Sequence, residues 1–138
     1  MIQQGLTTSF KQQMLQAGQS LLTDTLYMAL YTAFADIGPN TTAYSTAGEV
    51  VGTGYVAGGV PVTGATIGVG TDGTVYVNFN NVPFPSASFI ARGALIYNTS
   101  KSNKSVAVLD FGADKIFTSV TNTVTMPANT SNTALLRF

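Results

Sequence analysis

The chain has few residues that could do chemistry. Of 138 residues, six are basic and six acidic, and neither histidine nor cysteine occurs. Thiolate nucleophiles, imidazole acid–base catalysis, disulfides and the usual zinc and copper ligand sets are therefore excluded. Carboxylate chemistry is the remaining option. Asp110 and Asp114 stand four apart around Phe111-Gly112-Ala113, and two carboxylates facing each other across a sugar can cleave a glycosidic bond. Gly112 follows a predicted strand, however, so the segment reads as a turn with solvated acids. Lys115 beside it would form an ion pair of little value. A calcium site needs several oxygen ligands at short spacing, and no segment supplies them. No serine can be assigned a base, and no Ser-x-x-Lys arrangement is present. The expectation is no catalytic residue, no metal site and no cofactor.

Two glycine-rich stretches resemble phosphate loops. Gly68-Val69-Gly70-Thr71-Asp72-Gly73 matches G-x-G-x-x-G letter for letter. A dinucleotide site needs that loop to open a helix whose N-terminus holds the pyrophosphate. Here it opens Thr74 to Phe79, a segment of period two, and Asp72-Gly73 is a favoured hairpin dipeptide. The stretch is read as a hairpin. Gly52 to Gly58 is a looser version, and Pro61 after it argues for loop and edge strand. Asn-x-Ser/Thr triplets at Asn40, Asn98, Asn103 and Asn129 are expected by-products of an Asn- and Thr-rich composition. Lys101 and Lys104 read as a solvated hairpin tip. Six scattered bases and zero net charge lack the footprint that nucleic-acid binding needs.

The elements that must position these residues are mostly strands. Leu6, Phe10, Met14 and Ala17 form one apolar stripe and predict a helix, with Thr8 or Ser9 as its cap and Gly18 at its left-handed end. That helix either closes one end of a sheet or docks on a neighbouring subunit. After Thr23 the pattern is strand and turn. Leu26–Tyr31 is apolar on both alternating faces, as a central or interface strand would be. Thr74–Phe79 alternates with Val75, Val77 and Phe79 inward, and Ser119–Met126 alternates too. Further strands are expected near Gly48–Val51, Val60–Val69, Ile90–Tyr97, Val106–Phe111 and Asn132–Phe138. About eight short strands separated by Gly, Pro, Asn and Asp turns indicate an all-β fold: a single jelly-roll-like β-sandwich with one short N-terminal helix. Residues 1–138 read as one domain, with 1–23 an N-terminal helical segment and 24–138 strands.

Composition narrows the role further. Charged residues make up 9% of the chain, against about 25% in an average soluble protein. Thr, Ser and Asn occupy 39 positions, so the surface is wetted by hydroxyls and amides rather than ions. Near-zero net charge weakens repulsion between copies, which suits a part of a packed assembly. No apolar run is long enough for a membrane helix. Met1 to Gly5 has neither a basic nor an apolar signal region, so no secretory signal is expected. Phe34, Phe84, Phe89 and Phe117 fall at or near predicted loops, and Phe138 ends the chain. Such aromatics either plug an end of the sandwich or become buried between subunits. Tyr27 and Tyr31 share a face of the first strand and are candidate subunit contacts. Phe10 and Met14 on the helix, with Phe34, Phe84, Phe89 and Phe138, complete the candidate contact set.

Two stretches resemble the small virion structural proteins of tailed bacteriophages. The first is Ala29-Leu30-Tyr31-Thr32, Thr41-Thr42-Ala43-Tyr44 and Glu49 through Gly59; the second is Ala91 through Asn98, Lys101, Asn103-Lys104 and Ala107 through Gly112. The pattern is most similar to the capsid cement, or head decoration, proteins and covers most of the chain from Leu26 onward. The resemblance implies a jelly-roll-like sandwich, no catalytic activity and many copies per particle, often paired. It leads to the expectation of a protein on the outer surface of the virion capsid, made in the host bacterial cytoplasm. There it would bind the major capsid protein and further copies of itself, as a homodimer or higher oligomer, and stabilise the shell by bridging neighbouring subunits. Nucleic acid and membrane are not expected partners. A neck or tail subunit is the first alternative. A carbohydrate-binding β-sandwich of a host-recognition appendage is the second, although it would need exposed aromatic platforms and the chain has no Trp.

Overall fold

A computed structural model describes every residue except Ser119 and Ser131. The Val-, Thr- and aromatic-rich runs form strands because their branched side chains fit a pleated, half-buried surface. In chain order the elements are β1 (Gly5–Leu6), α1 (Thr8–Leu15), β2 (Leu26–Tyr31), β3 (Val60–Val62), β4 (Thr66–Val69) and β5 (Val75–Asn78). They continue with β6 (Val82–Phe84), β7 (Phe89–Asn98), β8 (Lys104–Phe117), β9 (Asn122–Val124) and β10 (Leu136–Arg137), with a single 3-10 turn at Thr99–Lys101. A five-stranded sheet has the order β1-β8-β7-β2-β3, a three-stranded sheet β10-β5-β4 and a two-stranded sheet β6-β9. Every strand pair is antiparallel. The protein is all-β and sandwich-like, with one short helix near its N-terminus.

The five-stranded sheet is covered on both faces, which explains why β2 is apolar in both registers. Alternate side chains of a strand point to opposite faces. Leu26, Met28 and Leu30 enter the larger core with Ala94 and Ile96 of β7 and Val106 and Leu109 of β8, together with Phe10, Val77 and Phe84. Ala29 and Tyr31 point the other way, into a second cluster with Leu95, Tyr97 and Val108. Among the described residues no sheet covers that second face. Ile2, Ala35 and Ile37 close it, with Tyr44 packed against them, so the residues that precede β1 and the long 32–59 connection act as its lid.

Several local expectations are corrected. Leu6 belongs to β1, paired with Ala107, rather than to the helix. The cap is Thr7, whose hydroxyl accepts the Phe10 N–H at 3.3 Å. The left-handed residue is Ala17 (φ 54°), not Gly18. The chain leaves the helix there so that Gln19 can turn inward and donate to Gln13 and Ser105. Val60–Val69 divides into β3 and β4 because the chain changes sheet between them. Gly48–Val51 contributes only a bridge from Glu49 to Tyr31. The Ser119–Met126 strand shortens to β9, and its expected start at Ser119 lies outside the described residues. The segment around Gly112 is a bulge within β8 rather than a turn after it. Gly93 pairs with Asp110 and Ala91 with Lys115, so the residues between Asp110 and Lys115 oppose Arg92 alone. Gly112 has φ 78°, a conformation that favours glycine.

Candidate functional site

Glu49 is the only glutamate in the chain, and it is buried, with 8% of its surface exposed. A buried carboxylate is costly unless its lone pairs are filled, and here they are. Oε1 accepts the Tyr55 hydroxyl at 2.6 Å and the Gly58 N–H at 2.7 Å, and Oε2 accepts the Tyr44 hydroxyl at 2.7 Å. The Tyr55 hydroxyl in turn accepts the Leu30 N–H of β2 at 2.9 Å. One side chain thus ties three points of the 32–59 connection to each other and to the central sheet. Tyr31 donates to the Ser45 carbonyl and Tyr97 to the Gly58 carbonyl, both at 2.6 Å, adding two more anchors from strands to loop.

The tyrosine rings pack as well as bond. Tyr44 stacks on Tyr97 with centroids 4.7 Å apart, and Tyr27, the ladder partner of Tyr97, lies 6.2 Å from it. Tyr55 reaches the opposite core, edge-on to Phe89, which stacks on Phe117 at 4.6 Å. Burial and the neighbouring Glu49 charge both disfavour phenolate. Desolvation, then Glu49, pushes Tyr97 up to about 12. Desolvation comes first for Tyr31, Tyr44 and Tyr55 as well, followed by the Glu49 charge for Tyr31 and by the hydrogen bond to Glu49 for Tyr44 and Tyr55, and holds all three well above the ordinary phenol value. These groups stay protonated and donate hydrogen bonds. Their role at neutral pH is architectural.

The pinned connection holds an unusual surface. Phe34 is 94% exposed and Val51 95% exposed, and Val56 is also exposed. An open groove of about 570 Å³ runs beside Phe34, lined by Asp36, Asn40, Thr42 and Ser45 among others. It offers amide and hydroxyl partners next to an aromatic ring. A second apolar surface lies at the other core, where residues of α1 and of the three-stranded sheet border one groove. Met14, Leu15, Leu22, Ile67, Val75 and Phe138 line an open groove of about 330 Å³ there. Neither surface is charged enough to depend on ion pairing.

The structure separates the sequence-derived contact candidates. Phe34, Met14 and Phe138 are exposed and Tyr27 is half-buried, so all four are open to a partner. Phe10, Tyr31, Phe84 and Phe89 are buried in the two cores, and burial removes them as surface contacts. They act as plugs: Phe10 lies under Phe138 with centroids 6.4 Å apart, and Phe84 lies between Tyr55 and Phe117. Asp110 and Asp114 flank the β8 bulge and both approach Arg92, at 3.8 and 3.7 Å, in place of the expected Lys115 pair. Gly68–Gly73 forms the end of β4 and a hairpin in which Asp72 accepts the Thr74 N–H. Asn98 is fully buried, its amide donating to Gln19 and Asp24, so its triplet cannot accept a glycan. The triplet at Asn129 ends on Ser131, outside the described residues. Among the described residues no cluster of three or more potential ligands could hold a metal ion, and no helix is long and apolar enough to cross a membrane.

Sequence reasoning missed Glu49. The available signal was a lone glutamate in a charge-poor chain, six residues before Tyr55 and five after Tyr44. Fold and surface together define a class: an all-β, sandwich-like protein with a pinned loop that exposes apolar side chains. No family model, curated protein or solved structure matches the chain.

Proposed function

We propose that this chain is a capsid decoration protein of a tailed bacteriophage, binding the outer face of the assembled head and bridging major capsid protein subunits. The observation that carries this reading is Phe34, an almost fully exposed aromatic on a connection whose course is fixed by Glu49. An exposed ring on a flexible loop would lose entropy on binding, whereas a pre-positioned one loses little and acts as an anchor. The resemblance to virion proteins supports the reading, because its Thr41–Tyr44 and Glu49–Gly59 portions fall within this same connection.

The mechanism is linkage. A ligand that binds the assembled lattice and not free subunits stabilises the lattice, by about 2.7 kcal/mol per site at a hundredfold excess over Kd. Contacts to two capsomers add avidity, since losing one leaves the other in place. With attachment through apolar and amide groups, occupancy should change little with ionic strength. Co-sedimentation with empty shells of the parent phage tests this. Wild type is expected to bind in low and high salt alike, and Phe34→Ala should weaken binding about 30-fold, as loss of an aromatic hot spot does. Unchanged binding of Phe34→Ala, or release of wild type by salt, would contradict the proposal.

A further inference from the structure

The edges of the sheets are unequally protected. Free strand edges invite pairing with another chain, and proteins blunt them with short length, proline or charge. β1 and β10 have two residues each, and β10 contains Arg137. Pro61 interrupts β3, and Pro83 interrupts β6. β9 has three residues, and its Asn122 amide folds back to the carbonyls of Thr118 and Val120. The distal part of β8 carries exposed Asp114 and Lys115. β4, Thr66-Ile67-Gly68-Val69, carries neither proline nor charge and forms the end of its sheet.

The register shows which groups that edge offers. Val75 exchanges both backbone hydrogen bonds with Phe138, so its N–H and C=O point towards β10. Val69 and Val75 are therefore a non-hydrogen-bonded pair across β4 and β5, and two residues along so are Ile67 and Val77. The N–H and C=O of Ile67 and Val69 consequently point off the sheet. Their side chains, both exposed, continue the apolar groove. On the opposite face Tyr76 lies over Gly68, where an added Cβ would come within 2.3 Å of the ring.

We propose that β4 is a homodimerisation strand, pairing antiparallel with β4 of a second copy about a two-fold axis between the two Gly68 residues. In that register Ile67 of each copy faces Val69 of the other, and the four outward groups of each strand are satisfied by the other copy. A second copy is the occupant because an antiparallel edge is its own two-fold complement. The strand carries no ionisable group and the chain has no net charge, so like meets like without repulsion. The pairing would join two three-stranded sheets into one of six and make the two grooves continuous. It does not depend on the capsid reading.

Sedimentation velocity of the full chain across the micromolar range should show a dimer. Val69→Pro removes an outward N–H and no hydrogen bond within the sheet, and Val69→Lys places a charge at a side chain already 72% exposed. Each should raise the dimer dissociation constant by roughly 30-fold or more. Val69→Lys keeps the test open if the proline variant folds poorly. A mixed sample of isotope-labelled and unlabelled protein should show a contact between the Gly68 α-protons of the two copies. A monomer throughout the range, a dimer unaffected by both variants, or absence of the Gly68 contact would each overturn the proposal. Shell binding by a persistent monomer would leave the decoration reading standing while sinking this one.

Discussion

Replacing Glu49 by alanine tests the architecture of the pinned loop. The substitution removes three hydrogen bonds of 2.6–2.7 Å, all to a buried carboxylate. Hydrogen bonds to a charged group contribute roughly 1.5–3 kcal/mol each, a gross loss of about 4.5–9 kcal/mol. Against this, the variant no longer buries a carboxylate, which relieves several kcal/mol. Tyr55 keeps the Leu30 N–H as a partner, while the Gly58 N–H keeps none. The net expectation is a loss of about 2–4 kcal/mol. For a chain of this size that corresponds to a fall in Tm of roughly 8–15 °C. Glu49→Gln retains one acceptor oxygen and can donate to the Tyr44 hydroxyl, so it should lose about half as much. Calorimetry gives the magnitude, and amide hydrogen exchange gives the location, with protection lost first in residues 40–58. A Glu49→Ala variant within about 1 kcal/mol of wild type would refute the claim that this carboxylate holds the loop.

Other outcomes follow from the same contacts. The tyrosine pKa values are raised on folding, so their stabilising contribution is complete below the unfolded value of about 10 and is lost as pH rises towards the folded values. For Tyr97 that window closes near about 12; urea midpoints should fall through it, and the phenolate absorbance should appear together with unfolding. Arg92→Gln should cost less than about 1 kcal/mol, because its pairs with Asp110 and Asp114 are long and partly solvated; a larger loss in chemical denaturation would mean that the bulge depends on the guanidinium. Phe84→Ala should cost about 3–5 kcal/mol by the same measurement, since the ring is fully buried among Tyr55, Phe89 and Phe117.

The sequence was most legible where strand pattern and burial agree. Leu26–Tyr31 is apolar in both registers and forms β2, an interior strand filled from both sides. Asp72-Gly73 marks its hairpin because turn chemistry is local. Boundaries decided by distant partners were not legible. Leu6 leaves the apolar stripe of the helix because Ala107 offers it a ladder position, a pairing invisible in a short window. β8 runs past Gly112 because its second half pairs with Phe89–Ala91 on the far side of a bulge. The candidate surface was half visible. Phe34 stood out as a loop aromatic, but nothing local distinguishes it from Phe84 or Phe89, which the fold buries. Glu49 was hidden because its partners Tyr44, Tyr55 and Gly58 converge only once the loop closes over β2.

A reconstruction of the parent virion at side-chain resolution tests the decoration reading most directly. The prediction is density for this all-β unit in many copies on the outer face of the head, with Phe34 seated against the major capsid protein. Heads that lack it, or density that holds the chain with Phe34 turned to solvent, would contradict the account.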